Sequence, residues 1–538
     1  MAKFRKTLGL DDPLCHPDHR RPVTRRELIA QGFRTGLGTV IGSSMLGMFG
    51  SRAFGLSSDL APLLAQCGVA TQGAGKIPFI CFDLAGGANI AGSNVLVGKG
   101  LGQLDLLSTS GYSKQGLPGD RTPASSTTNF IDTDLGLAFH TESAMLRGIK
   151  EKAITAAPTV NGAVIPARSE NDTGNNPHNP MYGINKAGAD GSLVTLIGSR
   201  NSDSGGNSMA PASMIDLSVR PTKVDRPSDV TGLVDTGAEP SGPLSQADNV
   251  KILESIYRVS DAKLNNVSTG LPLPVNVADR GVITGGDPLL DMVRCGYVKS
   301  ADLAERFGDP SALNPQSDPN IVDITNSGNS IFDQSEFDGD REFRKTASVM
   351  KMVIDGLAGA GTISMGGFDY HTGDRQTGER RDLRAGRCIG ACLEYAAKMQ
   401  RPVMIYVCSD GSVFSNGMTD ESADGGGKGV WTGDNQQTAC AYFLVYNPGS
   451  RPVVMGATPD QQAIHQQIGA FRASGDVETS SSPAANNVNL LVETVILNYM
   501  ALHGDQGNFA SVFPNNSLGN STMMDSLTAF NPIVSGTI

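Results

Sequence analysis

The sequence predicts an α/β fold, a doubly wound and mostly parallel sheet with helices on both faces and a loop-rich insertion. Three observations carry this prediction. Short apolar runs end in polar residues, segments with helical spacing alternate with these runs, and Gly-rich loops follow several of them. Because 39% of the 538 residues are hydrophobic, the chain can bury a large core, which excludes a wholly disordered protein.

The first strand is predicted at Lys76–Asp83, an apolar run that ends in a carboxylate. The Gly-rich segment Gly86–Asn89 follows it, and a buried strand that opens into such a loop is typical of α/β folds. Further along, His140–Glu151 has the pattern of a helix and Leu193–Gly198 that of a buried strand.

The most regular part of the chain alternates helix and strand. Glu342–Leu357 and Gln376–Met399 place apolar residues at helical spacing, and Thr362–Phe368 and Pro402–Cys408 are apolar runs. A third run, Ala441–Tyr446, is predicted as another strand of the same parallel sheet. Later helices are predicted at Asp460–Ala473 and Val488–His503.

The body of the chain, residues 56–538, is predicted to be one large α/β domain. Residues from about 198 to 286 are rich in Ser, Asn, Asp, Gly and Pro, with a helix predicted only at Val250–Leu264, so they are interpreted as an insertion. A second independent domain is disfavoured because this region lacks a dense apolar pattern of its own. A helix from Pro288 to about Phe307 follows it.

Residues 1–55 are predicted to be a twin-arginine export signal. Arg25 and Arg26 stand in the segment TRRELIA, an uncharged run follows at Thr35–Gly50, and small residues follow from Ser51. The alternative is a basic tail followed by an ordinary helix. The export interpretation makes the twin-arginine machinery a partner and predicts a periplasmic or secreted protein. No stretch of 18 uninterrupted apolar residues occurs, so no transmembrane span is expected after removal of the signal.

The charge distribution excludes two classes of partner. Residues 1–55 hold nine Lys/Arg and four Asp/Glu, whereas the remainder holds 34 Lys/Arg and 50 Asp/Glu. An acidic body argues against nucleic acid and against anionic membrane surfaces as ligands. None of the eight cysteines forms a CxxC pair, which argues against a zinc ribbon or a thioredoxin-type motif.

Acidic residues stand at three predicted strand ends. Asp83, Asp369 and Asp410 follow apolar runs, His371 lies two residues beyond Asp369, and Asp434 follows a Gly-rich loop. Ligands of doubly wound folds bind beyond the carboxyl ends of the strands, and converging carboxylates favour a bound cation. These five residues are the predicted metal ligands. The alternative for each carboxylate is that it caps a helix or turn.

Two of these segments carry a resemblance to a known family. Gly366–His371 (GGFDYH) and Val407–Gly411 (VCSDG) resemble motifs of the bacterial "domain of unknown function 1501" family, and Asp83–Asn89 is similar to its early loop. That family commonly bears a twin-arginine signal and is similar to the alkaline phosphatase and sulfatase superfamily. The resemblance implies that superfamily's fold, and Asn89 or Ser93 at the position of its nucleophile.

The sequence departs from the superfamily pattern at two metal-binding positions. Gly411 stands where a His is usual, and Asp434-Asn435 replaces a later motif that contains a His. A two-zinc site needs several imidazoles, so the resemblance here implies a degenerate site. One hard cation, Ca²⁺ or Mg²⁺ rather than Zn²⁺, suits the remaining oxygen ligands, and a protein without any metal is the alternative.

The function predicted from the resemblance is an exported alkaline phosphatase/sulfatase-like protein of unknown substrate that lacks conventional two-zinc hydrolase activity. Two alternatives stay open. One is a secreted non-catalytic binding or structural assembly protein, a pseudoenzyme that associates with itself or with a secreted partner. The other is a metal-dependent phosphate or sulfate ester hydrolase, in which Ser93 or a metal-bound water attacks.

Overall fold

The computed structural model describes most of the chain beyond the predicted signal. The described residues are 56–67, 75–123, 129–169, 176–234, 246–266, 288–307, 309–324, 328–371 and 375–535. The predicted twin-arginine signal, residues 1–55, lies outside them.

A seven-stranded mixed sheet forms the centre of the larger part of the molecule, with the strand order β4-β13-β10-β1-β9-β5-β6. Six strands run in one direction and β13 runs against them. The strands are β1 (Phe79–Ala85), β4 (Val160–Pro166), β5 (Val194–Gly198), β6 (Thr222–Lys223), β9 (Ala358–Gly366), β10 (Val403–Ser409) and β13 (Cys440–Tyr446). The predicted α/β class with a mostly parallel sheet is confirmed.

The prediction for Ala441–Tyr446 was wrong in direction. The strand forms, but β13 pairs antiparallel with β10 and then with β4. The reason lies in the connection, because β10 and β13 are joined by a two-stranded hairpin and not by a crossover helix. The hairpin strands, which the sequence analysis missed, are β11 (Val413–Asp420) and β12 (Lys428–Asp434).

Two further strand pairs and a set of helices complete the larger unit. The small pairs are β2 (Ile131–Asp132) with β3 (Phe139–His140), and β7 (Val322–Asp323) with β8 (Phe332–Asp333). The helices are α2 (Thr109–Lys114), α3 (Ala144–Lys152), α4 (Met181–Lys186), α5 (Pro227–Gly232), α8 (Gln334–Gly339), α9 (Arg341–Ile354), α10 (Arg375–Lys398), α11 (Pro459–Gln466), α12 (Val488–Leu502), α13 (Phe509–Val512) and α14 (Ser521–Ser526).

Helices cover both faces of the sheet. On one face α9 packs so closely on β9 that a Cβ at Gly361 would lie 2.6 Å from Val349 and 2.8 Å from Val353. On the other face, Phe79 of β1 belongs to the same buried cluster as Val495 of α12. Burial of these apolar side chains is the main source of stability, and it fixes the strand ends relative to the helices.

The chain divides into two compact units, and the smaller one is helical. Its described elements are α1 (Ala61–Gln66), α6 (Gln246–Leu264) and α7 (Pro288–Arg306). A disulfide joins Cys67 to Cys295, and Arg258 pairs with Asp59. No helix in the described part of the chain is both long enough and apolar enough to cross a membrane.

This division differs from the single domain, with an insertion at about 198–286, that the sequence predicts. The described residues between 198 and 233 belong to the larger unit, whereas the smaller unit combines described residues before 68 with residues between 234 and 309. Because α1 comes from a segment far from α6 and α7 in the chain, the core that the three helices share is not visible as a local apolar pattern.

Removal of the Cys67–Cys295 bridge is expected to destabilise the helical unit. The bridge joins residues 228 positions apart, and such a crosslink typically contributes about 2–4 kcal/mol by restricting the unfolded chain. Cys67→Ser should therefore increase proteolytic cleavage within α6 and α7. A reducing agent should have the same effect on the native protein and none on the variant. Equal protection of native protein and variant would contradict this expectation.

Candidate functional site

Three parallel neighbours bring their carboxyl ends to one edge of the sheet. Strand β1 pairs with β10 on one side and with β9 on the other, so that Asp83 lies opposite Cys408 and Ser364. Asp410 directly follows β10, and Asp369 follows the end of β9 at Gly366. The three predicted carboxylates therefore lie along the same edge, as α/β sites do.

Asp83 is fully buried and its carboxylate is occupied by donors from the protein. Its oxygens accept hydrogen bonds from the backbone N–H groups of Asn207 and Ser208 and from the Ser208 hydroxyl, 2.9 Å away. Burial raises the pKa of Asp83, and these hydrogen bonds oppose that shift.

Asp410 is also buried and is held by the same loop. One of its carboxylate oxygens accepts from the Gly86 N–H at 2.7 Å, and the other from the Asn207 side-chain amide at 2.8 Å. Asp83 and Asp410 therefore share Asn207, and both are satisfied by protein donors. Of the five predicted metal ligands, these two carboxylates therefore lie apart from the group that the other three form.

The remaining predicted ligands come together at the surface. Nδ1 of His371 lies 2.9 Å from a carboxylate oxygen of Asp434 and contacts the carboxylate of Asp369. One ligand atom from each residue lies within 4.8 Å of the others. Asp369 and His371 are alternate residues after β9, whereas the hairpin supplies Asp434 as the last residue of β12. These three residues could hold a metal ion, and they are called the cation site below.

The donor set of the cation site fits a divalent cation. Nδ1 of His371 is inaccessible to solvent, yet it forms no hydrogen bond of acceptable geometry. The side chains of Asp369 and Asp434 are 56% and 47% exposed, so a hydrated ion can reach them. Two carboxylates that face one ring nitrogen repel each other unless positive charge lies between them. A bound cation would supply that charge.

Asn89 and Ser93, the predicted catalytic residues, lie in a buried network and not in the cation site. The hydroxyl of Ser93 donates to the backbone carbonyl of Gln115 at 3.3 Å and contacts the side-chain amide of Asn89. Only 1% of Ser93 and 2% of Asn89 is exposed to solvent. A nucleophile must reach its substrate, so this buried placement does not support Ser93 in the role of nucleophile that the resemblance implies.

A buried carboxyl group, Asp382 of α10, forms the centre of this network. It accepts hydrogen bonds from the Tyr370 hydroxyl at 3.2 Å and from the Asn94 amide at 2.7 Å. Burial raises the pKa of Asp382 to about 7, and the nearby charge of Glu379 adds to the shift. The sequence could have indicated that Asp382 is buried, because helical spacing places it on the same apolar face of the predicted helix as Ile389.

A second buried group fastens the hairpin to α10. The Arg375 guanidinium lies 4.4 Å from the centroid of the Trp431 ring, and Arg375 pairs with Glu379 at 2.7 Å. Glu379 also pairs with Lys428, at the start of β12, at 2.6 Å. Because breaking a buried ion pair leaves an uncompensated charge, this group holds the strand that carries Asp434 in place.

Four residues that organise the site were not predicted from the sequence. Asn207 and Ser208 stand in the loop-rich region, Tyr370 stands between two predicted ligands, and Trp431 is the single tryptophan of the chain. The Gly-rich turn that follows β5 could have indicated the loop of Asn207, since such turns after strands approach the carboxyl edge of the sheet.

Asp382→Asn is expected to change how stability depends on pH. A pKa raised from 3.8 to about 7 means that the stabilisation from Asp382 is complete below pH 3.8 and is lost as the pH rises through 7. The shift corresponds to about 4 kcal/mol at most. Urea unfolding of both proteins from pH 4 to 8 should show the native protein losing stability relative to the variant. A constant difference across this range would contradict the shift.

Comparisons with models of protein families, with curated proteins and with solved structures found no match to this chain. The resemblance to the "domain of unknown function 1501" family therefore stays a prediction from the motifs, and the function must be argued from the geometry of the site.

Proposed function

We propose that this chain is an exported, non-catalytic protein of the alkaline phosphatase/sulfatase-like fold that binds one divalent cation. The observation that carries the proposal is the contrast at the sheet edge. Asp83 and Asp410 are buried and satisfied by protein donors, whereas the carboxylates of Asp369 and Asp434 converge on Nδ1 of His371, which forms no hydrogen bond of acceptable geometry.

The number of ligands supports a single cation over two zincs. A two-metal hydrolytic site needs about six protein ligands with several imidazoles. The cation site has three ligands, of which one is an imidazole. The other two carboxylates along the edge, Asp83 and Asp410, already accept hydrogen bonds from the protein. The buried position of Ser93 is further evidence against a hydrolytic site, because the hydroxyl of this serine is not accessible at the edge of the sheet.

The ligand chemistry supports a hard cation. Two of the three donors are carboxylate oxygens, which Ca²⁺, Mg²⁺ and Mn²⁺ prefer, and the exposure of both side chains leaves room for water ligands. A cation bound there would join the segment after β9 to the end of the hairpin strand β12. Its role is therefore structural in this proposal, and it would hold a surface on which a secreted partner or a second copy binds.

Two independent features support export, and the first of them also indicates the twin-arginine route. The motif at Arg25 and Arg26 is one of them. The other is the disulfide between Cys67 and Cys295, because disulfides persist in oxidising compartments such as the periplasm and the extracellular space.

A chelator is expected to lower the melting temperature of the native protein, and Asp369→Asn should abolish that sensitivity. Ligand binding stabilises the folded state, and removal of the cation leaves Asp369 and Asp434 in mutual repulsion. Thermal unfolding with and without EDTA tests this, together with elemental analysis, which should find one metal per chain. The matched control is Asp460→Asn, the same change at an exposed carboxylate of α11, which should keep the sensitivity.

Three results would contradict the proposal. An unchanged melting temperature in EDTA with no metal in the protein would indicate that Asp369, His371 and Asp434 come together without a cation. Two zinc ions per chain would indicate a dinuclear site. Hydrolysis of p-nitrophenyl phosphate or sulfate that depends on Asp369 would establish a metal-dependent ester hydrolase.

A further inference from the structure

We infer that Tyr370, held by Asp382, is a positioning residue that sets the affinity of the cation site. The inference rests on the proposed cation binding. It assigns to a buried tyrosine a role that neither its burial nor its sequence position indicates by itself.

Tyr370 stands between the two ligands that the segment after β9 supplies. Asp369 and His371 are partly exposed, whereas Tyr370 is only 2% exposed, so its side chain points into the protein while theirs meet at the surface. Because the three residues share one short stretch of backbone, the position of the Tyr370 side chain limits where both ligands can lie.

The hydroxyl of Tyr370 is fixed from two directions. It accepts a hydrogen bond from the Asn89 N–H at 2.7 Å and donates one to Asp382 at 3.2 Å. Asp382 is itself held by the amide of Asn94, which also donates to the Asn89 carbonyl at 2.7 Å. The network closes on itself, and a closed buried network holds its members more rigidly than isolated hydrogen bonds do.

The ring of Tyr370 also reaches the strand that carries the third ligand. Its centroid lies 6.4 Å from that of Trp431, which stands three residues before Asp434 on β12. One side chain therefore contacts the structural supports of both halves of the cation site. Residues behind the ligands orient them in this way in many metal sites, and their loss typically costs 10–100-fold in affinity.

If Tyr370 has a purely structural role, its loss should lower stability without a specific effect on cation affinity. A second buried tyrosine serves to distinguish a structural role from a positioning role. Tyr499 of α12 is fully buried and donates its hydroxyl to the Ile77 carbonyl at 2.8 Å, near the amino end of β1. Tyr499→Phe removes one buried hydroxyl from the opposite end of the sheet. It is therefore the matched control for Tyr370→Phe.

The test is Tb³⁺ binding, followed by luminescence excited through Trp431, which both variants keep, and measured well below the melting temperature. Tyr370→Phe should weaken Tb³⁺ binding about tenfold or more. The variant should also have a shorter Tb³⁺ luminescence lifetime in water than the native protein, because a water molecule replaces the loosened ligand. In heavy water this difference should be much smaller. Tyr499→Phe should lower the melting temperature but change neither the affinity nor the lifetime.

The possible results distinguish failure of the cation site from failure of the positioning role of Tyr370. Failure of the native protein to bind Tb³⁺ would overturn the proposed cation site itself. Native binding with an unchanged affinity and lifetime in Tyr370→Phe would overturn only the positioning role, and so would an equal loss in Tyr499→Phe. If Tyr370→Phe does not fold, Asp382→Asn removes the charged acceptor while it keeps the tyrosine, and the same weakening is expected.

Discussion

The parallel pairing of β10, β1 and β9 places three acidic segments at one edge of the sheet, and the rest of the site depends on how their charge is compensated. A buried carboxylate without a partner is costly, so each must find donors or a cation. Asp83 and Asp410 find theirs in the Asn207–Ser208 loop and at Gly86. Asp369, farther from the core, meets an imidazole and a second carboxylate at the surface.

The edge is closely packed, and this separates the inner carboxylates from the outer site. Gly86 adopts a φ of +125°, and a Cβ there would lie 2.5 Å from the backbone nitrogen of Asp369. Only glycine allows the loop after β1 to approach the segment after β9 so closely. The Gly86 N–H of this loop also donates a hydrogen bond to Asp410. Only the surface group of Asp369, His371 and Asp434 is left to bind a cation in this proposal.

The sequence predicted the elements of the fold better than the partners of the charged residues. The apolar runs at β1, β9, β10 and β13 and the helical spacing of α9, α10 and α12 are local patterns, and the structure has all of them. The direction of β13 depends on a polar hairpin with no apolar run. The partners of Asp83 and Asp410 come from Asn207 and Ser208, more than 120 residues from Asp83, in a loop without periodicity. The sequence places His371 two residues beyond Asp369, but it could not show which carboxylates were already satisfied by donors from the protein.

A crystal of the protein soaked in Mn²⁺, with data collected at the manganese absorption edge, would show directly where a cation binds. We predict one anomalous peak, bounded by Asp369, His371 and Asp434, and none between Asp83 and Asp410. A peak at the buried pair would show that the hydrogen bonds of the Asn207–Ser208 loop do not satisfy those carboxylates. No peak at the outer site, under conditions in which the crystal remains ordered, would contradict cation binding by this protein.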